Sequence, residues 1–446
     1  MGVVEKIKDF FWGGEETIVD EDIYEPIPME ARVPWYHMFW IFVGMWVSLY
    51  SVAIGYSIGR QLSPKLAIIA TILGYLIAGI AAAFVSDIGR IKGLPSYVLA
   101  KAPLGFFGQL LIAAIMFVII GFGSLGLQAD AVGRMWTSSV SFLSGHRLLV
   151  SGILCTLMML SAIRGIKGLA YVSWSFMPFF YIMIVLAAYF AVKNYPGGLS
   201  AILAIQRHEM SFSRAVFLNA GAWAGFVMLM ADVSRFLKSR KESFILVPTA
   251  FIVGGIPPAL GVILGATLDV ELELVWMAVG VGSLFAMLGI VASTGAGWTT
   301  NDNNAYTAGL ALATLTYPWR KLTRRQATTI VAILGVLGAM TGIGTLKVFE
   351  WIAAFHGSFN MSFVGVLVAH YFIVAKDKEI QTKGLAGILA WLISGLLAYF
   401  HIIPYEFVTG ALTAFVLYLV FYYGVERPLF GERVVDRVRP TVFWKS

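Results

Sequence analysis

The sequence predicts an all-α polytopic membrane protein with about 12 transmembrane helices. Of the 446 residues, 59% are hydrophobic and only 13% are charged, and the mean hydropathy is +0.81. A soluble chain of this length needs a far more polar surface to cover its core. The apolar stretches are continuous rather than alternating, which is typical of membrane helices and not of β-barrels. At about 20 residues per helix, the apolar residues suffice for roughly a dozen crossings.

Twelve apolar runs, bounded by turn residues and charges, are the predicted spans, and we number them in chain order. Span 8 contains the polar stretch 299–304. We keep this stretch inside one long helix because the apolar piece that follows it, 305–316, is too short to cross a bilayer core of about 30 Å alone. The spans lie near 36–58, 66–86, 104–129, 148–163, 168–192, 215–233, 244–267, 281–312, 327–345, 350–374, 384–401 and 405–423.

The distribution of basic residues predicts that both termini are cytoplasmic. An even number of spans places the termini on one side, and the loops and tails of that side carry most of the 32 Lys and Arg residues. Cytoplasmic loops of membrane proteins are enriched in these residues. We expect one transmembrane domain at 36–423, between a cytoplasmic N-terminal segment, 1–35, and a cytoplasmic tail, 424–446. The N-terminal segment has acidic clusters and no apolar run, so we expect no signal peptide.

Spans 1 and 6 are both interrupted by glycines. Span 1 has glycine and hydroxyl residues throughout 44–59, and span 6 has Gly221 and Gly225 on either side of Trp223. Because the two spans are five apart, they run in opposite directions. Glycine in one membrane helix is typical of close packing, but glycine-broken helices at matching positions of inverted repeats indicate the binding site of a secondary transporter.

Span 8 contains six consecutive polar residues, 299–304. The adjacent hydroxyls of Thr299 and Thr300 suit a hard cation, which prefers oxygen ligands, and carbonyls of unwound helices supply further oxygens. Asp302 is an intramembrane carboxylate and therefore a functional candidate. Threonines also bond to their own helix, and Asn or Asp side chains also join helices, but six such residues exceed what packing needs.

The string Trp298-Thr-Thr-Asn-Asp-Asn303 of span 8, with Tyr306 following, resembles the corresponding span of the nucleobase–cation symporter family, whose members carry cytosine, purines or allantoin. Ala231-Asp232-x-x-Arg235-Phe236 at the end of span 6 is similar to the same family. The resemblance implies a LeuT-type fold that works by alternating access. Two inverted repeats of five helices, near 36–192 and 215–374, would be followed by two extra helices near 384–423.

The resemblance also implies a sodium site and a substrate site. For Na⁺ it points to the hydroxyls of Thr299 and Thr300, the Ala296 carbonyl, and carbonyls of span 1 best matched by Ser48 and Ser51. For the substrate it points to Trp223, whose indole face would stack on a flat base. Trp223 lies mid-span, which argues against the alternative of an interfacial anchor. The remaining substrate candidates are Gly221, Ala222, Tyr50, Ser51, Phe122 and Asn301, the last with helix–helix bonding as an equal alternative.

Span 3 departs from the family pattern. Some relatives have an aromatic residue followed by Phe-Gly, with a glutamine one turn later, where this chain reads Met116-Phe-Val-Ile-Ile-Gly-Phe122-Gly-Ser-Leu125. We therefore expect the second stacking aromatic and the base-reading amide to be absent. Phe122 either turns inward or faces lipid. Because a site that hydrogen-bonds its ligand discriminates steeply, the departure weakens the prediction of cytosine as substrate.

The sequence therefore predicts an importer of a nucleobase or related heterocycle, coupled to Na⁺ or H⁺, with no organic cofactor and no nucleic-acid partner. A symporter of the same fold for another solute, such as an amino acid, is the alternative, although the candidate spans offer no arginine for a carboxylate. A channel would need charged rings or a carbonyl filter. An intramembrane enzyme would need a nucleophile–base pair or metal ligands, which we do not find.

The histidines and the one cysteine do not change this prediction. His356, His370 and His401 have no acidic or cysteine partner at ligand spacing, so we expect no metal site there. The lone Cys155 lies in an apolar run and cannot form an intrachain disulfide. It is expected to be a small buried residue.

Overall fold

The computed structural model describes residues 22–376 and 378–443, and these residues form helices joined by short loops. Strand structure in this part of the chain is limited to one antiparallel pair of two-residue strands. The predicted all-α class is confirmed. Residues 1–21 of the predicted N-terminal segment and 444–446 of the predicted tail lie outside the described residues.

Helices lie at all twelve predicted positions, and several spans consist of consecutive helices. Spans 1 to 6 are formed by Trp35–Trp46 and Leu49–Gln61; Pro64–Lys92; Lys101–Val118, a π-helical turn at Ile119–Ser124, and Leu125–Ser139; Arg147–Ile163; Ile166–Asn194; and Phe212–Ala222, Ala224–Met228 and Met230–Ser234. Spans 7 to 12 are formed by Glu242–Leu246, Val247–Gly254 and Ile256–Thr267; Ser283–Thr316; Arg324–Ala339; Leu346–Phe355, His356–Asn360, Met361–Val368 and Ala369–Ala375; Leu385–Tyr399; and Glu406–Phe421 with Tyr422–Glu426. Short helices in the connections lie at Ser96–Leu99, Gly198–Ala204, Val275–Ala278 and Arg427–Phe430.

Length and hydropathy identify only some of these segments as membrane crossings. Six helical segments in the described residues are long and apolar enough, and the bent pair of span 1 makes a seventh. Spans 4 and 11 are apolar but shorter, span 9 has 16 residues, span 6 is broken, and span 8 contains the polar stretch 299–304. Span 8 is nevertheless one helix of 34 residues, as predicted, and residues 299–304 are buried within the protein rather than exposed to lipid.

The break in span 1 has a local cause in the sequence. The chain bends by 53° between the two helices of the span, and Val47 and Ser48 are extended. The Ser48 N–H donates to Ser51 Oγ at 3.1 Å, and Ser51 Oγ donates to the Ser48 carbonyl at 2.6 Å. These two hydrogen bonds between Ser48 and Ser51 cap the N-terminus of the second helix. The last carbonyls of the first helix have no partner within that helix.

The second helix of span 1 packs closely against span 7. A Cβ added to Gly55 would lie 1.9 Å from the Pro258 carbonyl oxygen, and one added to Gly59 would lie 2.3 Å from that of Val262. Only glycine allows the two backbones to approach this closely. The contact fixes the position of the half-helix that follows the break.

The two described ends of the chain meet on one face of the molecule, which we call the tail face and define by residues 22–33 and 431–443. The two short strands, Glu379–Ile380 and Val434–Val435, pair there. Arg437 forms an ion pair with Glu25 at 3.0 Å. The opposite face, formed by the connections near 140–146, 195–211 and 400–405, we call the loop face.

Candidate functional site

A cavity of about 50 Å³ lies where the breaks of spans 1 and 6 face spans 3, 8 and 10. Both apolar and polar side chains line it, as in a site that binds a flat ligand and orients its polar edge. The lining residues are Ser48, Tyr50, Ile120, Ser124, Leu127, Gln128, Ala222, Trp223, Gly225, Phe226, Leu229, Thr300, Asn304, Phe349, Ile352 and His356.

Aromatic rings form two walls of the cavity. Trp223 lies at the break of span 6 with 3% of its surface exposed, and Phe226 stacks near it with the ring centroids 6.4 Å apart. On another side Tyr50 and Phe349 stack in parallel, with centroids 4.7 Å apart and 7° between the planes. Such faces cover a planar ring without requiring polar partners.

The predicted substrate residues divide into two groups. Trp223, Ala222 and Tyr50 line the cavity. Gly221 instead faces a second cavity near the loop face, and Ser51 is buried and bonded to Ser48. Phe122 is 37% exposed and does not line the cavity, so of its two predicted orientations the structure gives the outward one.

Asn304, rather than the predicted Asn301, presents its amide to the cavity. The Asn301 side-chain nitrogen donates to the Leu125 carbonyl of span 3 at 3.1 Å, so Asn301 joins two helices. The Asn304 nitrogen donates to Asn301 Oδ1 at 3.2 Å, which leaves the Asn304 amide oxygen for a ligand. The sequence alone did not separate the two residues because positions three apart lie on the same helix face.

Span 3 supplies an amide after all, which corrects the expectation that this group is absent. Gln128 lines the cavity, and its side-chain nitrogen is buried without a hydrogen-bond partner in the described structure. The π-helical turn Ile119–Ser124 precedes it. Because π turns contain an extra residue, they change which later residues face inward. The position of Gln128 therefore could not be read from α-helical spacing.

A cluster of five oxygens lies beside the cavity, between spans 1 and 8. Thr299 Oγ1 is 2.8 Å from the Ala296 carbonyl oxygen and 3.3 Å from that of Gly44. Thr300 Oγ1 is 3.1 Å from the Gly44 oxygen, 3.2 Å from that of Val47 and 3.3 Å from that of Ala296. Two hydroxyl protons face three carbonyls, so the cluster has more acceptors than donors. Such a set of neutral oxygens suits a hard monovalent cation.

The span 1 carbonyls of this cluster belong to Gly44 and Val47, not to the predicted Ser48 and Ser51. The first helix of the span ends at Trp46, and the last carbonyls of a helix have no partner within it. The Ser48 carbonyl, in contrast, accepts a hydrogen bond from Ser51 Oγ. The predicted Ala296, Thr299 and Thr300 do lie in the cluster.

Asp302 is buried but lies away from the cavity. Its carboxylate accepts a hydrogen bond from Ser161 of span 4, and Ser161 accepts one from Trp298 Nε1 at 2.7 Å. The other carboxylate oxygen has no partner among the described residues. This carboxylate therefore stabilises the contact between spans 4 and 8 and does not line the ligand cavity.

Comparisons with known proteins agree with this architecture. The family model described as permease for cytosine/purines, uracil, thiamine and allantoin matches residues 26–383. The cytosine permease of Escherichia coli (strain K12) is 26% identical over 359 residues, which cover 79% of this chain and 81% of the relative.

Two similar solved structures give the fold. Mhp1, a nucleobase-cation-symport-1 family transporter, in a closed conformation with bromovinylhydantoin bound, has a TM-score of 0.80 at 19% identity, covering 92% of this chain and 96% of that one. A substrate-bound, outward-open Na⁺-coupled sialic acid symporter has a TM-score of 0.73 at 13% identity, covering 97% and 96%. The predicted LeuT-type fold is confirmed.

Proposed function

We propose that this chain, which belongs to the family of permeases for cytosine, purines, uracil, thiamine and allantoin, imports a nucleobase or related heterocycle together with Na⁺. The chain is a multi-pass membrane transporter and not an enzyme. One observation carries the proposal. Thr300 belongs both to the ligand cavity and to the cluster of five oxygens, so one side chain connects two adjacent sites.

The cavity suits a small planar heterocycle. A ring that stacks on Trp223 would place its edge within reach of amide groups, and Asn304 and Gln128 supply these. Base–aromatic stacking contributes about 1–3 kcal/mol per base. An amino acid substrate is less well supported because, among the described residues, no arginine lines the cavity to bind a carboxylate.

The neutral oxygen cluster favours Na⁺ as the coupling ion. Its two hydroxyls and three carbonyls carry no formal charge, as expected of a site for a monovalent cation that must also be released. Coupling to H⁺ is the second candidate, because Asp302 is a buried carboxylate with one oxygen unpartnered within the described structure.

Contact between the two sites would couple them. A cation between spans 1 and 8 would hold the broken end of span 1 and the hydroxyl of Thr300 in one arrangement. If Na⁺ raises substrate affinity by this means, substrate must raise Na⁺ affinity by the same factor.

In the proposed orientation both termini and the tail face are cytoplasmic, and the loop face is extracellular.

Gradient-driven uptake tests the proposal. Purified protein in liposomes is given each member of a panel of radiolabelled bases and amino acids, with an inward gradient of Na⁺, of H⁺ or of neither. We expect saturable accumulation of at least one base that requires the Na⁺ gradient. Accumulation driven by the H⁺ gradient alone would identify H⁺ as the ion. Uptake of an amino acid and of no base would overturn the substrate assignment.

A further inference from the structure

His356 of span 10 is a cavity residue that the proposed binding mode leaves without a role. It begins the π-helical turn His356–Asn360, lines the same cavity as Trp223, and is 6% exposed. As a metal ligand it lacks partners, because no group of three or more His, Cys, Asp or Glu residues in the described structure could hold a metal ion. Its position in the cavity indicates contact with the transported ligand instead.

A hydrogen bond to Asn360 fixes which ring nitrogen of His356 carries the proton. The Asn360 side-chain nitrogen lies 2.7 Å from His356 Nδ1. An amide nitrogen only donates, so Nδ1 accepts, and the neutral ring carries its proton on Nε2. His356 therefore presents an N–H donor at Nε2.

The Nε2 edge of the ring faces the break in span 6. A Cβ added to Gly225, which also lines the cavity, would lie 3.1 Å from Nε2. A side chain at residue 225 would crowd the ring, so glycine lets the imidazole lie this close to span 6. Nε2 has no hydrogen-bond partner among residues 22–376 and 378–443. Nε2 is not among the fully buried atoms that lack a partner, so it is open to the cavity, where a ligand oxygen can accept its hydrogen bond and gain affinity.

Asn304 is the complementary group on the other side. Its nitrogen is held by Asn301, whose own nitrogen is held by the Leu125 carbonyl, so the oxygen of Asn304 is left as an acceptor. No hydrogen bond from residues 22–376 or 378–443 fixes the amide nitrogen of Gln128, so this side chain can present either end. The cavity therefore has one fixed donor on span 10 and one fixed acceptor on span 8.

We infer that His356 Nε2–H donates to a carbonyl oxygen of the ligand while Asn304 accepts from a ring N–H, so that the transported class is heterocycles with both groups. The inference rests on the proposed function and narrows its substrate class. Uracil, cytosine and hypoxanthine carry a carbonyl and a ring N–H. Adenine has the same ring system as hypoxanthine but no carbonyl, and thiamine has none either. A site with buried polar groups discriminates strongly against a ligand that leaves them unpaired.

Calorimetric binding to the purified full chain tests the inference. Uracil, hypoxanthine and adenine are titrated in NaCl, and each titration is repeated in KCl. We expect wild type to bind hypoxanthine at least about tenfold more tightly than adenine, because only hypoxanthine satisfies the His356 donor. Adenine binding as tight as that of hypoxanthine would overturn the inference.

Two substitutions of His356 distinguish the roles of its two ring nitrogens in ligand binding. The side-chain nitrogen of His356→Gln reaches about as far as Nε2, whereas that of His356→Asn reaches only about as far as Nδ1. We expect His356→Gln to keep uracil affinity within about threefold of wild type, and His356→Asn to lose about tenfold or more. Equal affinities in wild type and His356→Asn would contradict the inference.

Further controls exclude a folding defect and a failed premise. His401→Asn changes an exposed histidine on the loop face and should bind like wild type. Gly225→Ala should weaken uracil binding less than His356→Asn does, because the new Cβ shifts the imidazole by only a few tenths of an ångström. Melting temperatures show whether each variant is folded. If wild type binds none of the bases in either salt, the proposed function fails together with this inference. If bases bind in a Na⁺-dependent way but His356→Asn has no effect, the inference fails alone.

Discussion

At the scale of single residues, hydrogen bonds decide which polar side chains can meet a ligand. Asn301 and Asn304 have the same side chain, yet Asn301 donates to the Leu125 carbonyl, whereas Asn304 lines the cavity and its amide oxygen has no partner among the described residues. Thr299 and Thr300 are likewise adjacent, but only Thr300 also lines the cavity. Thr300 is therefore the residue through which cation and substrate are expected to act on each other.

Replacing Thr300 by alanine should weaken Na⁺ binding and, through it, substrate binding. The hydroxyl lies 3.1–3.3 Å from three carbonyl oxygens. A polar contact to a charged group contributes about 1.5–3 kcal/mol, so we expect the Na⁺ concentration for half-maximal substrate binding to rise by about 10- to 100-fold. Substrate binding measured over a NaCl series, with ionic strength held by choline chloride, checks this.

Thr314→Ala is the matched control on the same helix. Thr314 is also a buried threonine of span 8, but within the described part of the chain its hydroxyl bonds only to the Leu310 carbonyl one turn earlier. We expect its Na⁺ dependence to equal that of wild type. An unchanged Na⁺ dependence in Thr300→Ala would show that the oxygen cluster is not the coupling site.

At the scale of elements, the breaks in spans 1 and 6 create the site, and span 7 holds one of the broken halves in place. The first helix of span 1 ends beside span 8 and supplies carbonyls, while the second helix packs backbone to backbone on span 7 through Gly55 and Gly59. Unsatisfied helix ends are tolerated inside a membrane protein only where they line a cavity or bind a ligand. The position of the second half-helix therefore depends on glycine.

Replacing Gly55 by alanine should destabilise the protein through this contact. The new Cβ would lie 1.9 Å from the Pro258 carbonyl oxygen, so the two helices must separate. Overpacking of this kind costs about 1–3 kcal/mol. We expect a lower melting temperature and weaker substrate binding, because Tyr50 lies one and a half turns earlier on the same half-helix.

Gly424→Ala is the control for Gly55→Ala, since nothing lies within 4 Å of a Cβ placed there. Its melting temperature should match that of wild type. A Gly55→Ala protein as stable as Gly424→Ala would mean that spans 1 and 7 are not held by close backbone contact.

At the scale of the whole molecule, the tail face joins segments that are distant in sequence. Tyr24, which precedes span 1, is 4% exposed, packs against Tyr317 at 4.5 Å between ring centroids, and accepts a hydrogen bond from Gln109 of span 3 at 3.0 Å. Arg437 of the tail and Glu25 form an ion pair, but both are about half exposed. In a transporter that works by alternating access, contacts on such a face separate when the site opens toward it.

Replacing Tyr24 by alanine should loosen the tail face far more than removing the ion pair. Loss of a buried aromatic side chain costs about 3–5 kcal/mol, whereas an exposed ion pair contributes about 0.2–1 kcal/mol. We expect amide hydrogen exchange in residues 25–33 and 317–321 to increase by orders of magnitude in Tyr24→Ala and by less than about fivefold in Arg437→Gln. Equal increases in the two variants would show that charge, not aromatic packing, holds this face together.

The sequence by itself determined the membrane class, the positions of the twelve spans, the single helix of span 8 and the family resemblance. These follow from composition, hydropathy and local motifs, which depend on neighbours along the chain. Through the family resemblance of spans 6 and 8 it also pointed to Trp223, Ala296, Thr299 and Thr300. The structure places these residues in the cavity or in the oxygen cluster, and their roles stay predictions.

Only the tertiary structure decided which groups complete the two sites. The carbonyls of Gly44 and Val47, rather than those of Ser48 and Ser51, face the threonines because the first helix of span 1 ends at Trp46. Gln128 and His356 both line the cavity. Gln128 follows the π-helical turn of span 3, and His356 begins the π-helical turn of span 10. Helix ends and π turns interrupt the regular period of 3.6 residues per turn. Packing between helices, and not spacing along the chain, therefore decides which way the side chains near these interruptions point.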